Sequence, residues 1–400
     1  MLWSGLGFNF LIVAGVLQYY ALINGFWTKA NVQSANTTWS DRFIQIYLSD
    51  EGSNDTYGNT IVGGLQCALA TSIIFAAIGG RAGPLAAALI TGIAPILYEL
   101  NRQILSLFSV NTGGSTTIFE FGGIAGAVLA FCLAKTAHEG IRNHDNYLSH
   151  KFNVTLSLIG AAFIWVFFPV LNMNVPSTSF IYTNAGISTF FSISAAVVAS
   201  IGFGLLVDGK LEFRNIITAP IAGGVIIGCS STYIYNPLQA LMLGSLAGIL
   251  QVLFNKVEVK LGNFPYWSNG VFFLFGVQGF LGGLFSAVMR AINKTSSTYG
   301  TAYDSLPSKY VYDQRGQISA TFITLGIAIV TGLILFVVLK CFNAEEREDF
   351  YHDKTYWVVE DDGISNRKIE KISARPSETD QSESIEVSEG GEIKGTHAYL

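Results

Sequence analysis

The sequence predicts an all-α polytopic membrane protein with about ten helices present. Three observations carry this reading. Half of the 400 residues are apolar and only 13% are charged, too little polar surface to cover a soluble chain of this size. The apolar residues gather into stretches of roughly 20 with almost no charge, enough to cross a hydrocarbon core as helices. Glycine is abundant, at 42 residues, and small residues let membrane helices approach closely. The net charge of −5 says little, because the charge sits in loops and the tail.

The expected helices follow in order. The first, 5–27, begins almost at Met1, with no charged leader and no small-residue cleavage site, so it does not read as a secretory signal. The second, 59–80, stops at Arg81. The third, 84–107, holds Glu99 and Arg102 inside or near it. The fourth, 114–135, opens on Gly113-Gly114 and closes at Lys135; Arg142 and Lys151 separate it from the fifth, 153–172. The sixth, 184–206, is followed by Lys210 and Arg214. The seventh, 216–233, and the eighth, 236–255, are glycine-rich, and Lys256 and Lys260 close the pair. The ninth, 268–290, and the tenth, 317–342, complete the set. The membrane domain is therefore expected at 1–342. A polar run, 343–400, is rich in Glu, Asp, Ser and Lys, and is expected to be a largely disordered, acidic tail.

Basic residues in short loops set the orientation. Arg81, Lys135, Arg142, Lys151, Lys210, Arg214, Lys256 and Lys260 share one side with the start of the tail, which is expected to be cytoplasmic. Asn-x-Ser/Thr sequons at Asn36, Asn54 and Asn293 fall on the opposite side and are expected glycosylation sites; Asn153 falls on the cytoplasmic side and should be silent. The paired sequons favour a eukaryotic plasma membrane or another secretory-pathway membrane. The tail offers a phosphorylation or partner-binding strip, or simply a solvated end.

Two segments stand out. One reads Gly113-Gly114-Ser115-Thr116-Thr117-Ile118-Phe119-Glu120-Phe121-Gly122-Gly123. The other reads Leu274-Phe275-Gly276-Val277-Gln278-Gly279-Phe280-Leu281-Gly282-Gly283. Paired, glycine-broken segments in two halves of a chain mark inverted repeats with a site between them; ordinary small-residue packing is the plainer account. Other markers are Gly7-Phe8-Asn9-Phe10, the aromatic run 163–169 ending in Pro169 with Asn172 after it, Asp208-Gly209-Lys210-Leu211, Ala222-Gly223-Gly224-Val225, Pro237, Gly244 and Gly248. In order and spacing these resemble the Rhesus (Rh) glycoprotein branch of the ammonium transporter family, over nearly all of residues 5–290.

The resemblance implies a bundle of two inverted repeats, a trimer (a homotrimer or an Rh-type heterotrimer) and one pore per subunit. It also implies one or two helices before the first seen here, so the sequence reads either as N-terminally incomplete or as a shortened protein. In that family each of the two segments supplies a pore histidine. Here the twin-histidine positions are Phe119 and Phe275. By the same resemblance Asn111 stands at a vestibule aspartate, Gln66 at one gate phenylalanine, Phe191 at the second, and Glu99 at a family glutamate. Glu120 has no acidic counterpart; an ionisable group in a membrane helix is a functional candidate by default, and bonding to backbone or to another subunit is the alternative.

The five histidines, His138, His144, His150, His352 and His397, all lie in loops or the tail, which excludes an imidazole relay within the membrane. Cys67, Cys132, Cys229 and Cys341 show no metal-binding spacing and read as buried thiols. No cofactor, metal or nucleic-acid partner is expected. No nucleophile–base constellation appears, so an enzyme is not expected. A channel-like protein passing neutral NH3 or CO2, with ammonium-ion handling impaired by loss of the paired histidines, is the expected function. A non-conducting scaffold or partner subunit is the alternative. Proton-coupled transport would have only Glu99 and Glu120 to work with.

Overall fold

The computed structural model describes residues 3–30, 56–80, 82–108, 114–134, 151–173, 179–234, 236–260, 270–293 and 314–344. Among the described residues the chain forms ten α-helices and no strand. They are α1 (Trp3–Ala30), α2 (Thr56–Ala77), α3 (Pro84–Phe108), α4 (Phe121–Ala134), α5 (Lys151–Asn172), α6 (Ser179–Asp208), α7 (Phe213–Ile227), α8 (Pro237–Lys260), α9 (Gln278–Asn293) and α10 (Gln314–Cys341). Among the described residues eight spans are long and apolar enough to cross a membrane, and α2 and α7 add the shorter apolar stretches Ile61–Ala77 and Phe213–Ile227.

Helix α1 shows how the bundle is built. Phe8, Ile12, Val16 and Tyr20 are all buried; their spacing of four places them on one stripe of a helix. Phe10 and Leu11, off that stripe, are exposed. The outer face of α5 is likewise apolar, with Phe163, Val166, Phe167 and Val170 all more than half exposed, as a lipid-facing surface requires. Between membrane helices the hydrophobic drive is weak, so close van der Waals fit and internal hydrogen bonds hold the bundle together.

Two helices do not start as α-helices. Ser115–Glu120 is a π-helical turn that runs into α4, and Phe272–Val277 is a second one that runs into α9. Both follow a glycine with positive φ, +74° at Gly114 and +84° at Gly270, a conformation that a Cβ would oppose. Gly114, Phe119, Gly123 and Gly126 recur at one fixed spacing as Gly270, Phe275, Gly279 and Gly282. Helices α4 and α9 lie five crossings apart, so successive spans enter the membrane from opposite sides at these two points. The arrangement is an inverted repeat.

The two repeats lock through their glycines. A Cβ on Gly123 would run into the backbone nitrogen of Gly276, in the π-turn before α9. A Cβ on Gly279 would fall 2.5 Å from Glu120 N and 2.6 Å from Ser115 O, in the π-turn before α4. Each α-helix thus begins against the other's π-turn. Helix α10 closes the side: Gly332 lies against Ala125 O of α4, and Thr324 Oγ1 donates to Asn101 Oδ1 of α3 at 3.2 Å.

The expected helix 216–233 is shorter than read. Helix α7 stops at Ile227, and Gly228–Tyr233 runs in turns that are wholly buried. Side chains satisfy the freed backbone there. Ser115 Oγ donates to Val225 O at 2.6 Å and accepts from Cys229 N at 2.8 Å, and Ser286 Oγ donates to Cys229 O at 2.8 Å. Irregular backbone at membrane depth is tolerated only where protein surrounds it, and these serines provide that.

Candidate pore site

The ring of Phe119 is 1% exposed and lies in a stack of three. Its centroid is 5.9 Å from that of Phe275, with the planes 11° apart, and 5.5 Å from that of Phe168, with the planes 20° apart. Near-parallel rings at this range are in favourable offset contact. The structure therefore brings together the two sequence-matched phenylalanines and adds a third, which sequence reading missed. A π-turn inserts one residue per turn and re-aims the side chains after it, and such turns gather at functional places; both Phe119 and Phe275 sit inside one.

Phe168 reaches the stack because Gly224 yields to it. A Cβ on Gly224 would fall 2.5 Å from the Phe168 ring. One turn further along α5, Asn172 Nδ2 donates to Gly224 O at 3.2 Å and to Thr189 Oγ1 at 3.1 Å. Helix α5 is thereby pinned to α6 and α7 beside the ring. The signal in the sequence was the pairing of an aromatic run at 163–168 with the Gly223-Gly224 pair, but only a tertiary contact joins them.

Glu99 is buried and fully engaged. Tyr20 Oη donates to its Oε2 at 2.9 Å, Arg102 Nε donates to Oε2 at 2.7 Å, Arg102 Nη2 to Oε1 at 2.7 Å, and Gln103 Nε2 to Oε1 at 2.6 Å. Arg102 Nη2 also reaches Asn24 Oδ1 at 3.0 Å. This network ties α1 to α3, and it leaves the carboxylate no free lone pair for a passing ligand. Glu120 is the opposite case. It is wholly buried, and neither carboxyl oxygen has a hydrogen-bond partner among the described residues. Its burial inside one chain sets aside a bond to another subunit.

Of the remaining expected residues, Gln66 and Phe191 are described. Gln66 is half-buried on α2, and Phe191 on α6 is 39% exposed and outside the stack. Asn111, Asn36 and Asn54 lie outside the described residues, as do the five histidines. Asn293 ends α9 and its side chain lies outside them too. Cys67 and Cys229 are buried as expected; Cys132 is half-buried, and Cys341 is exposed because α10 ends there, where the buried stripe of the helix has run out. Thr116 Oγ1 lies 3.5 Å from Cys229 Sγ. Among the described residues no group of His, Cys, Asp and Glu is placed to hold a metal ion.

The arrangement is that of a helical bundle with its central crossing filled by phenyl rings. Comparison with known proteins agrees with the architecture. The model of the Ammonium Transporter Family matches residues 1–354. Ammonium transporter Rh type B-A of Xenopus laevis is 28% identical over 376 residues, covering 89% of this chain and 76% of the relative. Ammonium transporter Rh type B of Mus musculus is 29% identical over 376 residues, covering 89% and 77%. Among solved structures, Nitrosomonas europaea Rh50 matches with a TM-score of 0.67 at 21% identity, covering 91% of this chain and 86% of that one. Saccharomyces cerevisiae Mep2 matches at 0.66 and 16% identity, covering 90% and 86%. At such identities the two structures speak for the fold, while the family match spans residues 1–354 of the 400: the chain belongs to the ammonium transporter family, and the curated relatives named above are of its Rh type.

Proposed function

We propose that this chain is a channel-like subunit that passes a neutral small molecule, NH3 or CO2, and handles the ammonium ion poorly. The single observation that supports this reading is the stack of Phe168, Phe119 and Phe275. Desolvating a cation in an apolar constriction costs several kcal/mol unless polar groups replace its water. Phenyl faces return only about 0.5–2 kcal/mol as cation–π attraction, and here the faces are turned on each other. A neutral gas loses little on desolvation and passes when the rings move.

The reading extends to the assembly. The chain works in the lipid bilayer as a homotrimer or an Rh-type heterotrimer, in a eukaryotic plasma or secretory-pathway membrane, with the 343–400 tail in the cytoplasm and open to a partner there. The division into a membrane domain at 1–342 and an acidic tail belongs to the same proposal. Catalysis is not part of it.

A second reading has its own observation. Phe119 is 1% exposed within a close stack, which suits a non-conducting scaffold or partner subunit. Stopped-flow entry of NH3 and CO2 into vesicles separates the two. Flux of either gas above protein-free vesicles supports the pore; flux equal to protein-free vesicles for both gases removes it and leaves the scaffold. An ammonium-driven current above empty vesicles would overturn the statement on the ion.

A further inference from the structure

We propose that the cavity where α6 and α8 end seats one anionic phospholipid, its headgroup on Lys210, Lys256 and Lys260 and the start of its acyl chains on the apolar wall beneath. The cavity measures about 720 Å³. It lies at a membrane boundary, because two of the apolar spans, Tyr182–Asp208 and Pro237–Glu258, stop beside it. None of its lining residues belongs to the phenyl stack.

Helix α8 builds one wall from two adjoining stripes. Leu253 and Val257 stand four residues apart, as do Lys256 and Lys260, so each pair lies along one line of the helix. The other wall comes from the end of α6. Gly209 takes φ +67°, and its N–H donates to Leu205 O at 2.9 Å, a left-handed glycine closure that ends a helix. The chain turns there, and Lys210 and Leu211 join Val207 in lining the cavity. Lys256 and Lys260 suit the C-terminal end of the α8 dipole, but Lys210 precedes the N-terminus of α7, where the dipole disfavours a cation. Its place calls for a different partner.

The charges decide the headgroup. Three lysines face two acids, Asp208 and Glu212, which leaves an excess of one positive charge. Lys256 Nζ is held on Asp208 Oδ1 at 2.5 Å, and Arg214 nearby is taken by Glu258. Lys210 and Lys260 make no ion pair among the described residues. An excess of one charge matches a singly charged headgroup such as that of phosphatidylserine, and basic pockets between membrane helices take anionic headgroups. The apolar side chains decide for a lipid over a free phosphate. Val207, Leu211, Leu253 and Val257 are all exposed; a soluble anion would leave them in water, whereas acyl chains cover them.

The experiment reads lipid retention, not gas flux, so its failure is distinct from failure of the pore. Native mass spectrometry of the full chain in detergent is used to titrate phosphatidylserine, phosphatidylglycerol and zwitterionic phosphatidylcholine. One anionic lipid per chain should bind more tightly than phosphatidylcholine. Each basic residue near an anionic lipid surface is worth about fivefold in binding, so Lys210→Gln with Lys260→Gln should weaken it roughly tenfold or more. Both lysines are exposed, and unaltered oligomer size and thermal midpoint confirm that the variant is folded. Lys340→Gln, at the end of α10 and outside the cavity, should leave the affinity unchanged. Phosphatidylcholine binding as tightly as the anionic lipids, unaltered affinity in the double variant, or an equal loss in Lys340→Gln overturns the site. Water-soluble glycerophosphoserine should not displace the lipid at equal concentration; displacement would make the occupant a free phosphate ester and overturn the lipid.

Discussion

Gly224 gives up its side-chain space to Phe168, whose ring would lie 2.5 Å from a Cβ placed there. The same ring stacks on Phe119 at 5.5 Å. A substitution on α7 therefore acts on the stack through α5. Gly224→Ala should destabilise the protein by about 1–3 kcal/mol, the usual range for overpacking, and should move Phe168 off Phe119. Phe168→Leu in the same chain should recover at least part of that loss. A double-mutant cycle by thermal or denaturant unfolding in detergent measures it; strictly additive effects would separate Gly224 from Phe168.

Three rings, not two, fill the crossing. Phe119→Ala with Phe275→Ala removes the sequence-matched pair but leaves Phe168, so gas permeability should rise only in part. Adding Phe168→Ala should raise it further and admit water, because surrounding helices collapse only partly around a deleted side chain. Stopped-flow light scattering with vesicles resolves both. A triple variant no more permeable than the double would show that Phe168 is not part of the barrier.

What could be read from the chain and what could not divide along physical lines. Helices were legible because each membrane span must carry its own unbroken apolar stretch, and Phe119 with Phe275 because matching glycine contexts repeat in one dimension. Phe168 escaped because its role depends on Gly224, 56 residues away in the sequence and in contact only after folding. The end of α7 escaped because Cys229 is apolar enough to continue a helix; it is Ser115 and Ser286, from α4's π-turn and from α9, that take over its backbone groups. Glu99 and Glu120 looked alike as lone acids in apolar segments, and only tertiary contacts show one saturated and the other unpartnered.

That difference predicts opposite responses to substitution. Glu99→Gln removes a charge that accepts from Arg102, Tyr20 and Gln103. Of these bonds only the one from Tyr20 joins two helices; an interhelical hydrogen bond in a membrane contributes about 0.6–2 kcal/mol and one to a charged group about 1.5–3 kcal/mol, so the loss should be roughly 1–3 kcal/mol, larger than for Tyr20→Phe alone. Glu120→Leu instead replaces an unpartnered polar group by an apolar one of similar size, which is neutral or stabilising where no bond is broken. Unfolding in sodium dodecyl sulfate reports both. A Glu120→Leu protein less stable than Glu99→Gln would mean that Glu120 has a partner.

Orientation is the remaining expectation that a direct measurement decides. The basic loops, with Arg81, Lys210, Arg214, Lys256 and Lys260, and the sequons at Asn36, Asn54 and Asn293 point to opposite sides of the membrane. The two signals are independent, since one reflects insertion and the other luminal modification. Expression in a glycosylating cell should therefore shift the protein on a gel, and removal of Asn36, Asn54 and Asn293 together should abolish the shift. Asn153, which begins the fifth expected helix on the basic side, should carry no glycan even when it is the one sequon left. An introduced cysteine in the 343–400 tail should react with an impermeant reagent only after the plasma membrane is opened. A glycan on Asn153 would invert every crossing at once and place the basic loops with Lys210, Arg214, Lys256 and Lys260 on the luminal or outer side.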